Sequence, residues 1–147
     1  MKRTIVREHA FKILFRYDFH NTDEFNGQVK MYLDGQDDFF DDDDDSESIA
    51  VAKMTPFDKA EIESRVMDVT ANIEDIDNKI SSVCENWTID RIGKAELAIL
   101  RLAVYEIFYD EQVESPVAIN EAVELSKKYC DEKSHSFVNG ILAKIIK

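Results

Sequence analysis

Three histidines and two cysteines are the side chains of this chain that would ligate a transition metal or act as nucleophile and base. No pair of them stands at the short spacing of a zinc site. The sequence also lacks the P-loop, GxGxxG, GxSxG and HExxH strings. We therefore expect no catalytic residue, no metal and no cofactor, with each histidine at the surface or at a helix cap. The residues concerned are His9, His20, Cys84, Cys130 and His135.

Binding of phosphates and unpaired bases is a second kind of chemistry, and basic and aromatic side chains are interleaved near the N-terminus. Cations there could neutralise phosphates, and the rings could stack on bases. The opposite interpretation is that the rings are core and the cations solvated. Spacing alone favours that interpretation, because helical aromatic stripes are usually core. The residues are Lys2, Arg3, Arg7, Phe11, Phe15 and Tyr17.

The formal charge of −13 argues against nucleic acid until its distribution is considered. Residues 34–47 hold nine acids and no base, whereas both ends of the chain carry an excess of Lys and Arg. A run of five Asp cannot be buried, so residues 34–48 are predicted to be a solvated surface loop. The spacing of their acids does not match an EF-hand calcium loop. The net charge therefore does not exclude an RNA partner.

Composition and periodicity predict an all-α protein. Gly (4) and Pro (2) are scarce and 44% of residues are hydrophobic, which favours long helices over a turn-rich sheet. Apolar residues predict a first helix from Val6 to Phe19, with Lys12 and Arg16 on its solvated side. A second short helix is expected from Phe25 to Leu33.

The second half of the chain is predicted to be a helical bundle. Thr55, Pro56 and Asp58 form a capping box with a proline at the first helical position. The residues from Asp90 to Tyr109 are apolar almost all round, as in a buried central helix. Other helices are expected to carry Phe57, Ile62, Val66 and Val69 on one apolar stripe, Ile73 to Trp87 on the next, and caps at Asn72, Ser115 and Ser134.

Three strings in the second half resemble the NusB family closely: IDRIGKAELAILRLAVYEI, VAINEAVELSKKY and SHSFVNGILAKI. The resemblance covers nearly the whole chain except residues 34–54. It implies a compact bundle of about seven helices in two packed helical subdomains. The expected organisation is one domain over 1–147, with N-terminal helices at 1–33, the acidic insert at 34–54 and the bundle at 55–147.

The resemblance implies a non-enzymatic RNA-binding factor in transcription antitermination. Such a factor binds the single-stranded boxA element of nascent RNA together with NusE, a small-subunit ribosomal protein. The complex helps RNA polymerase read through terminators, notably in ribosomal RNA operons. A cytoplasmic protein without a membrane segment is expected, and the resemblance leaves open whether it pairs with itself.

The family's functional positions map onto two sets of residues in this sequence. Both sets rest on the resemblance, although Arg7 and Glu96 also interrupt the apolar faces on which they are predicted to lie. Further family residues are given structural roles: Asn120 caps or ties a loop, Gly140 allows close helix packing, and Arg101 with Glu106 braces the central helix. The expected RNA-binding residues are Lys2, Arg3, Arg7, Phe15, Lys94 and Phe137, and the expected partner-binding residues are Glu96, Lys133 and Ser134.

Two alternatives compete with an RNA-binding antitermination factor. One is the NusB-like domain that precedes a methyltransferase in certain RNA-modifying enzymes, which is disfavoured because no Gly-rich nucleotide-binding unit occurs before Lys147. The other is a helical protein–protein adaptor that binds no RNA and whose acidic loop recruits a basic partner. RNA retention in a filter-binding titration would separate the adaptor from the antitermination factor.

Overall fold

A computed structural model describes residues 2–35, 54–84 and 88–147. Within these ranges the chain forms seven α-helices and no strand, with short 3-10 turns at Tyr17–Phe19 and Ile89–Arg91. Most of the acidic insert and Trp87 lie outside the described residues. The helices are α1 (Arg3–Leu14), α2 (Thr22–Leu33), α3 (Pro56–Ala71), α4 (Ile73–Ser82), α5 (Lys94–Tyr109), α6 (Ser115–Tyr129) and α7 (Ser134–Ile145).

The chain divides into two compact units, residues 1–66 and 67–147. In the first unit α1 contacts α2, and nearly every residue of α1 from Val6 onward is buried. The helix ends at Leu14, earlier than the periodicity predicted. The prediction that Lys12 and Arg16 are solvated is wrong, because their side chains are 2% and 0% exposed. Four-residue spacing placed them opposite the main apolar face, but that side of α1 is also covered.

Helix α3 begins with the predicted capping box. The Thr55 N–H donates to Asp58 Oδ2 over 3.2 Å, and the Asp58 N–H donates to Thr55 Oγ1 over 3.1 Å. Ile62, Val66 and Val69 are buried as the apolar stripe predicts, but Phe57 is 76% exposed. The assignment of Phe57 to the same stripe is wrong, since it lies in the first turn and projects into solvent.

The turn after α3 is closed differently from the prediction. The Asn72 side chain caps nothing at the start of α4. Instead its Nδ2 donates to the Asp68 carbonyl oxygen over 2.8 Å, which satisfies an acceptor at the end of α3. The break between the two helices falls at Asn72.

The second unit is built around α5, which contacts α4, α6 and α7. Every residue of α5 from Leu97 to Glu106 is buried, which confirms the prediction of a central helix. Helices α6 and α7 contact each other and cover α5 with apolar residues. The buried side chains on these two helices include Ala118, Ala122, Leu125, Val138, Ile141 and Leu142.

The described ranges contain no candidate membrane span and no candidate metal site. None of the seven helices is both long enough and apolar enough to cross a membrane. No group of His, Cys, Asp or Glu side chains in those same ranges has a geometry that could hold a metal ion.

Candidate nucleic-acid interface

The first turn of α1 presents two of the predicted RNA-binding cations to solvent. Lys2 stands at the N-cap position and Arg3 follows it, and both are exposed. Arg7, one turn further, is only 7% exposed. Little of Arg7 is therefore accessible to phosphate, and its assignment to RNA stays a prediction. Its neighbours on α1 are buried as well, so the helix leaves the surface after its first turn.

The aromatic residues of α1 and of the turn that follows it divide into core rings and a surface pair. Phe11 is buried, and the Tyr17 ring meets the buried Phe25 ring edge-on with centroids 5.2 Å apart. Phe15, the predicted stacking residue, is half-buried and lies 5.4 Å from the Phe19 ring. Phe19 is 51% exposed and was not predicted. The predicted helix ran to Phe19, whereas α1 ends at Leu14. The helical periodicity therefore did not indicate that Phe19 is exposed.

Polar side chains of α1 that were expected in solvent lie inside the first unit. The His9 Nδ1 atom and the Tyr32 hydroxyl are 2.5 Å apart, and His9 is 2% exposed. Burial, reinforced by the nearby charge of Lys12, lowers the pKa of His9 from 6.5 to about 4. The placement of every histidine at the surface or a cap is thus wrong for His9. The Arg16 guanidinium lies 5.3 Å from the centre of the same Tyr32 ring.

The predicted partner-binding residues in the second unit form one hydrogen-bonded cluster. Ser134 Oγ is 2.8 Å from Glu96 Oε1 and 3.0 Å from Asp131 Oδ1. The Glu96 carboxylate also folds back over Gly93, where an added Cβ would collide with it. Burial, together with the negative charge of Glu96, raises the pKa of the neighbouring Cys130 thiol to about 12. That thiol is therefore unreactive at neutral pH.

The start of α7 is capped by Asp131 and not by Ser134 as predicted. Asp131 Oδ1 accepts hydrogen bonds from the backbone N–H groups of Lys133 and Ser134 over 3.1 and 3.2 Å. Lys133 is exposed at the N-cap position, and Phe137 is half-buried one turn into the helix. Lys94 is exposed on the first turn of α5, two residues before Glu96.

The structure brings the predicted partner-binding residues of the second unit together but does not collect the predicted RNA-binding residues into one group. In the first unit Lys2 and Arg3 begin α1 and Phe15 follows its last residue, a separation of roughly 18 Å at 1.5 Å per residue. The two cations suit phosphate, and the ring suits an unpaired base further along the helix. The partner-binding cluster pairs two carboxylates with a hydroxyl, which suits a polar protein surface.

The sequence matches the model of the NusB family over residues 4–147. The chain belongs to the NusB family. "Transcription antitermination protein NusB" of Lachnoclostridium phytofermentans is 38% identical over 146 residues, covering 99% of each chain. The protein of that name from Clostridium botulinum is 40% identical over 147 residues, covering 100% of this chain and 99% of its own.

A solved structure with the same fold is titled "Crystal Structure of Antitermination Factors NusB and NusE in complex with dsRNA". It is 29% identical with a TM-score of 0.71, and the match covers 97% of this chain and 94% of that one. The all-α prediction and the resemblance to the NusB family are thereby confirmed. Membership of this antitermination family also confirms a non-enzymatic role.

The structure shows the surroundings of three NusB-family residues that were predicted to have structural roles. Arg101 braces the bundle as expected, but its Nε donates to Asp77 Oδ1 and its Nη2 to Asp77 Oδ2, each over 2.9 Å. Asn120 is exposed and lines a groove between α6 and α7 together with Asn139, so it does not tie a loop. Gly140 is exposed, and a Cβ there would meet nothing within 4 Å, so close packing does not require it.

Proposed function

We propose that this NusB-family protein binds boxA-type single-stranded RNA together with NusE and promotes antitermination, notably in ribosomal RNA operons. The observation that carries the proposal is the full-length likeness to a NusB chain solved with NusE and double-stranded RNA. The curated relatives over the same length are transcription antitermination proteins. We place its action in the cytoplasm, within an RNA polymerase antitermination complex.

The exposed first turn of α1 is the proposed phosphate-binding site. Lys2 and Arg3 are solvent-accessible cations next to each other, and binding them to phosphates would release counterions. The half-exposed Phe15 ring is proposed to stack on an unpaired base. Lys94 and Phe137 are proposed as the RNA contacts of the second unit. Since Arg7 is buried, we propose that its main role is to support α1.

The cluster of Glu96, Lys133 and Ser134 is the proposed NusE-binding surface. Glu96 remains half-exposed although it accepts the Ser134 hydrogen bond, and Lys133 is exposed. Together they present one negative and one positive charge to a partner within a small area. Rim charges of this kind determine partner choice and association rate more than affinity. Homodimer formation through the same surface would compete with NusE.

A filter-binding titration with boxA-like RNA tests the proposal. The chain should retain RNA, retention should weaken as salt rises, and addition of NusE should strengthen it. A scrambled RNA of equal length is the control for base recognition. Absence of RNA retention both with and without NusE would instead favour a protein–protein adaptor.

A further inference from the structure

Two tyrosines on α5 form a stack that is anchored by aspartates of the preceding helices. Tyr105 and Tyr109 lie one turn apart, with ring centres separated by 5.7 Å and planes inclined by 11°. The Tyr105 hydroxyl donates to Asp68 Oδ2 over 3.2 Å, and the Tyr109 hydroxyl donates to Asp75. Because both hydroxyls are held, the rings have fixed orientations. We call Asp68, Asp75, Tyr105, Phe108 and Tyr109 the tyrosine–aspartate surface.

This surface exposes aromatic area at the end of α5. Phe108 is 45% exposed and Tyr109 is 38% exposed, although they are the last two residues of the most deeply buried helix of the unit. Lys79 Nζ lies 4.8 Å from the Phe108 ring centre and 3.6 Å from Asp75 Oδ2. The surface thus already holds one cation between a ring and a carboxylate, the arrangement in which cation–π and ionic attraction act together.

Carboxylates dominate the charge around the exposed rings. Asp68, Glu74 and Asp75 are exposed on the α3–α4 side, and Glu111 is exposed just beyond α5. Arg101 and Lys79, on α5 and α4, are engaged with Asp77 and Asp75 respectively. The hydrogen bond from Tyr109 holds the pKa of Asp75 below its usual range, so this carboxylate stays ionised. The resulting potential attracts cations and repels phosphates.

We propose that the tyrosine–aspartate surface docks an arginine-bearing segment of a protein partner. A planar guanidinium can lie on the open side of the Tyr109 ring and donate to the Asp75 carboxylate, whereas an ammonium group cannot do both as well. Arginine and aromatic residues are also among the residues that contribute most to binding energy at protein interfaces. The surface is separate from the residues assigned to RNA and to NusE.

Fluorescence anisotropy with a labelled (Arg-Gly)5 peptide tests the proposal on the full-length chain at near-physiological salt. The double variant Phe108→Ala, Tyr109→Ala removes both rings and leaves the charge unchanged. We expect it to bind the peptide at least about fivefold more weakly, as loss of one cation–π contact implies. The matched control is Phe57→Ala, which removes a 76% exposed ring elsewhere and should leave affinity unchanged.

Two further probes define the interaction. Tyr109→Phe keeps the ring without the hydroxyl and should retain most of the affinity, while circular dichroism checks that every variant is folded. A (Lys-Gly)5 peptide of equal charge should bind more weakly than (Arg-Gly)5. The double variant and the unchanged chain should bind boxA-like RNA equally well. Failure of the docking proposal can therefore be distinguished from failure of the proposed function.

Several outcomes would overturn the docking proposal. Equal peptide affinity of the unchanged chain and the double variant would mean diffuse attraction to an acidic protein. If the unchanged chain did not bind (Arg-Gly)5 at all, the proposal would be contradicted directly. Concentration-dependent dimerisation by light scattering that disappears in the double variant would identify a second copy of the chain as the occupant.

Discussion

Ser134 Oγ donates a 2.8 Å hydrogen bond to Glu96 Oε1 and thereby joins the first turns of α7 and α5. Ser134 is 7% exposed, so the bond is largely shielded from water. The Glu96 carboxylate can take this position only because Gly93 has no side chain. Two residues predicted to contact a partner thus first hold each other in place.

Loss of this bond should destabilise the second unit measurably. Ser134→Ala should lower the free energy of unfolding by about 1 kcal/mol in urea denaturation, because Glu96 and Asp131 lose their shared donor. Ser136→Ala is the matched control, since Ser136 is exposed on the same turn. An equal effect of the two variants would contradict the assignment.

Gly93→Ala should act through the same bond. An added methyl group displaces the Glu96 carboxylate, so the effects of Gly93→Ala and Ser134→Ala should not add in a double-mutant cycle. Gly27→Ala is the control, because nothing lies within 4 Å of its would-be Cβ and alanine favours a helix. Strict additivity of the first pair would show that Gly93 is required for another reason.

His9 should make the stability of the protein depend on pH. Its pKa falls from 6.5 to about 4 on folding, so between these values the unfolded chain binds a proton that the folded chain excludes. The free energy of unfolding should therefore decrease as pH falls, by roughly 2 kcal/mol between pH 7 and pH 5. Urea denaturation at the two pH values measures this difference.

The control for this pH dependence is His9→Gln, which keeps a polar side chain near Tyr32 but does not titrate in this range. Its stability should change much less between pH 7 and pH 5 than that of the unchanged chain. If both proteins lost the same stability, other groups would be responsible for the acid sensitivity.

Arg7 and the two residues at the start of α1 should respond differently to charge reversal. Arg7→Glu places a carboxylate at a position that is 7% exposed, and we expect a loss of about 3 kcal/mol because buried charges need their partners. Lys2→Glu with Arg3→Glu should leave the melting temperature almost unchanged, since both residues are exposed. Thermal unfolding followed by circular dichroism compares them, and a stable Arg7→Glu protein would contradict the burial.

Periodicity predicted the helices of the second unit well because one apolar helix organises it. The long run from Leu97 to Glu106 leaves few alternatives to a central position. In the first unit, the capping box at Thr55 fixes a helix start from local chemistry alone. Caps supplied by residues outside the helix were less predictable. Asp131 caps the start of α7 from three residues before Ser134, and Asn72 closes the end of α3.

The candidate site could be predicted only where side chains remain in solvent. Lys2, Arg3 and Lys94 are exposed as expected, but the burial of Arg7, Lys12 and Arg16 depends on what packs against α1. Long basic side chains bury their stems readily, so their position on a helical wheel does not determine their exposure. The exposure of Phe19 was missed for the related reason that the end of α1 was placed too late.

The most direct test of the central claim is the salt dependence of boxA-like RNA binding by the Lys2→Ala, Arg3→Ala variant in the presence of NusE. If both cations contact phosphates, the slope of log affinity against log salt should become shallower by about 1.4. A matched variant with Lys30→Ala and Lys59→Ala, on α2 and α3, should keep the original slope. An unchanged slope in the Lys2, Arg3 variant would contradict the placement of RNA at the first turn of α1.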